Sequence, residues 1–372
     1  MSDSAELLAF GDFAVDEQVS LQEAAAASSI TLHTARTPAD ASSWLDEHSP
    51  CALLLGGTGG EPLAFALGTR AQARHRKLPI LALTREPSDL EFTGAFSWGA
   101  DDVVAPHRSW SLTTRLRAVS RKRVFSDLPP RGTALVAEID QSRRVATARV
   151  LSNAGFEVRF AVTPKDARDF ALEKEMTLVV ACTELIPEPR SLIEESRLKD
   201  THVHFIISSE PKRFGELTRD IGGRSDTRVT DASAPPENVV FLANELAAGT
   251  LADKRTSVRH LYGTTVRFRP EGYDDDELGF TYNVSAGGLY VRTLAPPTED
   301  LVWLELTPPR TARRVRLIGQ VAWRRPFGPN GHATVPPGFG VRIVDGSKMD
   351  LERWQLAFEP REPYSLAKPS EA

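Results

Sequence analysis

Arg255 and Arg259 are separated by Thr256, Ser257 and Val258, in a lead-in that begins just past a helix-like run, Pro236 to Ala248. Two guanidinium groups on such an arm can stack on bases, fork onto phosphate oxygens, or donate in pairs to the O6 and N7 edge of guanine. That chemistry suits an anionic purine nucleotide better than a simple phosphate. Twenty-three residues separate Arg259 from Asn283, which opens the turn Asn283-Val284-Ser285-Ala286-Gly287-Gly288. The turn offers a side-chain amide, a hydroxyl and a glycine pair that admits a ligand close to the backbone. Taken singly, each motif also reads as ordinary surface chemistry, a solvated arginine pair and a small polar turn.

Strands must hold these groups, and the pattern supplies them. Leu289 to Thr293 resumes a strand after the turn, and further strands read at Gly319 to Trp323 and Pro337 to Ile343. In this order the arm and the turn resemble the PilZ domain, the small β-barrel receptor for the bacterial second messenger cyclic di-GMP. The family pattern is Arg-x-x-x-Arg followed by Asp/Asn-x-Ser-x-x-Gly, and the resemblance runs from about residue 253 to 358. It implies an antiparallel β-barrel in which Arg255 and Arg259 bind guanine and phosphate while Asn283, Ser285 and Gly288 meet the other face of the nucleotide. Many members carry a further arginine directly before the first; here Lys254 keeps the charge and loses the planar fork.

Upstream, short apolar runs alternate with helical patterns: Leu7 to Phe10, Ile30 to His33, Cys51 to Leu55, Leu78 to Leu83 and Asp102 to Ala105. Such βα alternation is the signature of a parallel sheet covered on both faces. The segment is similar to a response-regulator receiver at Leu78 to Thr84 and at Gly99 to Pro106. The lysine expected before Pro106 is Ala105, the acid pair is reduced to Asp12, and Gly56 to Gly60 stands where the phosphorylated aspartate would. Phosphoryl transfer needs a carboxylate nucleophile, a metal held by acids and a neutralising cation. A second copy follows, with Ala134 to Ala137, Thr177 to Ala181 and His204 to Ser208 as strands; its phosphoacceptor position is Thr183. Both copies are therefore expected to be pseudo-receivers, with no phosphorylation site.

Several other signals read as structural. Gly56 to Gly60 lacks the lysine and spacing of a P-loop, and His202 and His204 are expected on an edge strand rather than on zinc. Glu271 to Glu277, with Asp274 to Asp276 at its centre, reads as a solvated acidic hairpin tip, too short for a calcium loop. Arg310, Arg313, Arg314, Arg316, Arg324 and Arg325 form a basic stretch with few aromatic residues nearby to stack bases. The 372 residues are 41% hydrophobic and carry a net charge of -5, which draws the chain neither to nucleic acid nor to acidic lipid. Cys51 and Cys182 lie far apart in apolar runs and imply a reducing compartment, with neither disulfide nor metal. The amino terminus lacks a basic start and an apolar core, and no stretch is long enough to span a membrane, so the cytoplasm is expected.

The expected organisation is two receiver-like α/β domains of flavodoxin-like fold, each a five-stranded parallel sheet, at 1–125 and 133–249 with a linker at 126–132. A PilZ β-barrel at 250–358 and a disordered tail at 359–372 follow. The resemblance implies a non-catalytic cyclic di-GMP effector in motility, exopolysaccharide or developmental control, without cofactor, acting through an unidentified protein partner of the receiver-like domains and open to homodimer formation. The alternative is a PilZ-like interaction scaffold that no longer binds nucleotide.

Overall fold

A short apolar strand flanked by helices buries both its faces only as a member of a covered parallel sheet. The computed structural model, which describes residues 5–57, 60–75, 78–105, 109–120, 130–199, 202–248, 258–327 and 335–359, contains two such sheets. The first alternates β1 (Ala5–Phe10), α1 (Val15–Ala27), β2 (Ile30–Ala35), α2 (Pro38–Glu47), β3 (Ala52–Leu55), α3 (Gly60–Ala71), β4 (Ile80–Leu83), α4 (Asp89–Ser97), β5 (Asp102–Val104) and α5 (Ser109–Ser120). Its strands are parallel in the order β2-β1-β3-β4-β5. Leu8, Phe10, Leu53 and Leu55 pack beneath one face and Leu7, Ala9, Leu54 and Leu81 beneath the other.

The second sheet repeats this plan with β6 (Thr133–Ala137), α6 (Gln141–Asn153), β7 (Glu157–Ala161), α7 (Pro164–Ala171), β8 (Met176–Cys182), α8 (Pro189–Leu198), β9 (His204–Ser209), α9 (Pro211–Asp220), β10 (Thr227–Asp231) and α10 (Glu237–Ala248). Its order, β10-β9-β8-β6-β7, is the same flavodoxin-like winding. The duplication extends to a helix cap. Thr37 accepts a hydrogen bond from the Asp40 amide at the start of α2, and Thr163 does the same with Asp166 at the start of α7. Each is followed by a proline whose fixed φ suits the first helical position. The histidine expectation needs one correction: β9 lies between β8 and β10, so His204 is on an inner strand. Burial there lowers its pKa.

The third sheet is antiparallel: β11 (His260–Leu261), β12 (Thr265–Pro270), β13 (Glu277–Ser285), β14 (Gly288–Arg292), β15 (Leu301–Leu306), β16 (Val315–Arg325) and β17 (Gly338–Gly346), followed by α11 (Lys348–Leu356). Six strands close on themselves as β13-β12-β15-β16-β17-β14-β13, and β11 pairs with the far end of β13. Val266, Phe268, Val284, Val291, Leu304, Phe339 and Val341 fill the interior with fully buried Trp354 of α11. The basic stretch turns onto the barrel itself. Arg314 and Arg316 pair with Glu305, and Arg324 donates to the carbonyls of Pro297, Thr298 and Glu299.

All nine residues of β13 are buried, and both α/β units pack on the outer face of its first part, from Glu277 to Tyr282. Phe280 stacks on Phe92 of α4 at 5.5 Å between ring centroids. Further along, Tyr282 and Tyr290 pack with Phe241 and Leu242 of α10.

Candidate functional site

Strand register builds the site. Val284, Leu289, Val341 and Val321 point into the barrel, so their alternate neighbours form its outer wall. One outward row crosses four strands through Ser285, Gly288, Arg342 and Gln320, each paired with the next. The adjacent row runs through Leu261, Asn283, Tyr290, Gly340 and Trp323. The structure pairs Ser285 with Gly288 and Asn283 with Tyr290 on neighbouring strands; Arg259 stands immediately before β11, and Arg255 lies outside the described residues.

Every part of the turn is held. The Ser285 hydroxyl donates to the Gly288 carbonyl at 3.3 Å, and the Ile343 amide to the Gly287 carbonyl at 3.0 Å. The Trp354 indole donates to the Ala286 carbonyl at 3.0 Å, and Gln355 adds a second bond to the same oxygen. Glycine is obligatory at 288, since a Cβ there would overlap the carbonyl oxygen of Val341. Gly340 is constrained in the same way by the indole of Trp323, which lies against it.

Sequence reasoning passed over four members of this wall, Tyr290, Gln320, Trp323 and Arg342. Trp323 is 39% exposed and stacks on Tyr290 at 4.9 Å. Arg342, opposite Gly288, donates to Gln320 at 2.5 Å. Their strands were legible, but their common face emerges only from the register shift between Val321 and Trp323, which turns the indole outward. A wall with an aromatic face in one row and guanidinium and hydroxyl groups in the next fits a flat, hydrogen-bonding ring joined to an anionic group. Burial raises the pKa of Tyr290, against the opposing pull of Arg325 and Arg292, so its phenol stays a donor; it bonds the Pro336 carbonyl at 2.6 Å.

The receiver-like pockets have a different character. At the end of β3, a Cβ on Gly56 would lie 3.2 Å from the Asp12 backbone and from the Phe13 ring. Beside it Arg85 holds Glu17 at 2.6 Å, and this hydrogen bond lowers the Glu17 pKa. In the second unit Thr183 is buried. Among the described residues, the ligand atoms of Glu138, Cys182 and Glu184 lie within 4.8 Å of one another. Arg143 already approaches both carboxylates, at 3.4 and 3.8 Å, and burial raises the Cys182 thiol.

Comparison with known proteins places a family on the barrel. Residues 253–356 match the PilZ domain model. No curated protein matches the chain. Among solved structures, the inhibitor of motility of Bacillus subtilis is 18% identical with a TM-score of 0.23, covering 28% of this chain; the match spans about half of that protein, 49%. A PilZ domain from a cellulose-synthesizing bacterium is 18% identical, TM-score 0.19, over 27% of this chain and 92% of that one. A chemotaxis response regulator of Vibrio cholerae is 19% identical, TM-score 0.27, over 30% of this chain and 98% of its own. No helix among the described residues is long and apolar enough to cross a membrane. The closed barrel at the end of this chain is a PilZ domain, preceded by two five-stranded parallel sheets of flavodoxin-like winding.

Proposed function

We propose that the chain is a non-catalytic signalling protein that binds cyclic di-GMP on the outer wall of its barrel and passes the signal on by protein contact. The observation that carries this reading is the paired outward rows of Ser285, Gly288 and Arg342 beside Asn283, Tyr290 and Trp323, with Arg259 immediately before β11 in the chain. Arg255 and Arg259 supply guanidinium forks for guanine and phosphate, Ser285 and Asn283 short-range hydrogen bonds, and Gly288 close backbone approach. Cyclic di-GMP is then the ligand, and no cofactor is needed. The receiver-like units serve as the surface for an unidentified protein partner in control of motility, exopolysaccharide or development, in the cytoplasm. Titration of the full chain with labelled cyclic di-GMP tests the reading, with saturable binding expected and its absence decisive against it.

One observation favours a second reading. Asn283 and Ser285 are only 4% and 8% exposed, as suits a scaffold whose ligand face has closed. The same titration separates the two, because a scaffold gives no saturable signal.

A further inference from the structure

The β13–β14 hairpin has two ends in different surroundings. Its tip carries Asn283, Ser285 and Gly288. Its base carries Glu277 and Arg292, both buried against the α/β units. Glu277 accepts from the Ser111 hydroxyl at 2.7 Å and from Arg115 of α5 at 3.0 Å. Arg115 is wholly buried and also donates to Asp102 at 2.8 Å, to the Leu278 carbonyl at 2.9 Å and to the Thr293 hydroxyl at 3.2 Å. Arg292 donates to the Ala100 carbonyl and to Glu237 of the second unit, each at 2.9 Å, and lies 3.6 Å over the Phe96 ring. One hairpin base is thus bonded to both α/β units at once.

This network is incompletely satisfied. Glu277 Oε1, Glu237 Oε2 and Arg292 Nε are buried with no hydrogen-bond partner. Leaving buried ionic groups partly unpaired is costly. From Arg292 to Gly288 is four residues of strand, about 13 Å, and from Glu277 to Ser285 eight, about 26 Å, and the paired strands on either side make the hairpin stiff.

We propose that this hairpin is a lever: the ionic base, through Arg115 and Arg292 as positioning residues, sets the geometry of Asn283 and Ser285, and occupation of the tip biases how the two α/β units sit on the barrel. The ligand half of this statement rests on the cyclic di-GMP reading above. Neither arginine lies at the ligand wall, so each acts on the nucleotide only through the strands. Coupling of this kind is reciprocal, and a change at the base must appear as a change in affinity at the tip.

The test uses the full chain with Arg292→Gln, which removes the charge at the base, and Asp89→Ala. Asp89 is an exposed residue of α4 that bonds Thr264 and Thr265 on the neighbouring strand, so its loss loosens the same seam without stranding a buried charge. Hydrogen exchange on the ligand-free protein is expected to rise at residues 283–288 in both variants. Cyclic di-GMP affinity is expected to fall about fivefold or more in Arg292→Gln, and less in Asp89→Ala. Should Arg292→Gln not fold, Asp89→Ala decides both measurements. Exchange at 283–288 that stays at the wild-type rate while 277–280 and 290–292 loosen overturns the lever, as does unchanged or tighter nucleotide binding. If the wild-type chain binds no cyclic di-GMP, the ligand reading fails on its own and the ligand-free exchange still decides whether base and tip are coupled.

Discussion

Asp101 and Asp102 are neighbours in the chain whose carboxylates serve different domains. Asp101 caps the Ile80 amide at 2.8 Å and pairs with Arg149 of α6 in the second α/β unit. Asp102 pairs with Arg115 and accepts from the Leu294 amide at 2.7 Å, just past the end of β14 in the barrel. Two successive residues therefore join the first unit to both others.

Asp102→Ala strands Arg115 in a fully buried position with Glu277 as its remaining carboxylate. Breaking a buried pair on one side costs about 3 to 5 kcal/mol. A lowered denaturant midpoint, with loss of protection in β14, is the expected outcome; a change near zero would mean that the junction carries no stability.

On the cyclic di-GMP reading, Arg255→Ala and Arg259→Ala are each expected to weaken binding by about 2 to 4 kcal/mol, since each would remove charge-assisted bonds to the nucleotide. Calorimetry on the two single variants measures this directly. Affinity unchanged in both would move the site elsewhere.

Gly288→Ala places a methyl group on the Val341 carbonyl. Overpacking of this kind costs about 1 to 3 kcal/mol, and here it must also displace the turn. The variant is expected to lose thermal stability and nucleotide affinity together, whereas Gly223→Ala, in open space, should change neither.

Beryllofluoride and acetyl phosphate should form no aspartyl adduct on residues 5–248. Gly56 offers no carboxylate and its surroundings leave no room for one, and the corresponding residue of the second unit is Thr183. Intact-mass spectrometry that found an added phosphoryl group on this segment would contradict the assignment.

His204 sets a pH dependence. Burial lowers its folded-state pKa below the ordinary histidine value of about 6.5, so between the two values the unfolded chain binds more protons. Its contribution is complete above about pH 6.5 and is lost as pH falls toward the folded value. His204→Leu should therefore lose less stability than wild type between about pH 7.5 and about pH 5.5, on either side of the ordinary histidine value, as read by urea denaturation at each pH.

Much of this architecture was legible because it is local. The strands Leu7 to Phe10 and Cys51 to Leu55, the turn from Asn283 to Gly288 and the missing aspartate at Gly56 all declare themselves within a few residues. The junction did not. Arg115 and Glu277 are 162 residues apart, and no short pattern marks either one. Glu277 reads as the end of an acidic turn, and only the packing of β13 against α5 makes it a buried anion. Trp323 and Arg342 were visible as strand residues, but their shared face depends on a bulge that leaves little trace in composition.

Closure of the six-stranded barrel has a consequence for how two chains can meet. A closed sheet has no unpaired backbone to offer, apart from the two residues of β11. Edges remain at β2 of the first sheet and at β7 and β10 of the second, whereas β5 is buried beside β13 of the barrel. Of these, β7 presents Phe160 at 44% exposure, guarded by the ion pair of Arg159 with Glu173 in the same strand's surroundings. Beyond the two residues of β11, strand addition by a second polypeptide, whether wanted or as the first step of aggregation, falls to the α/β part of the described chain.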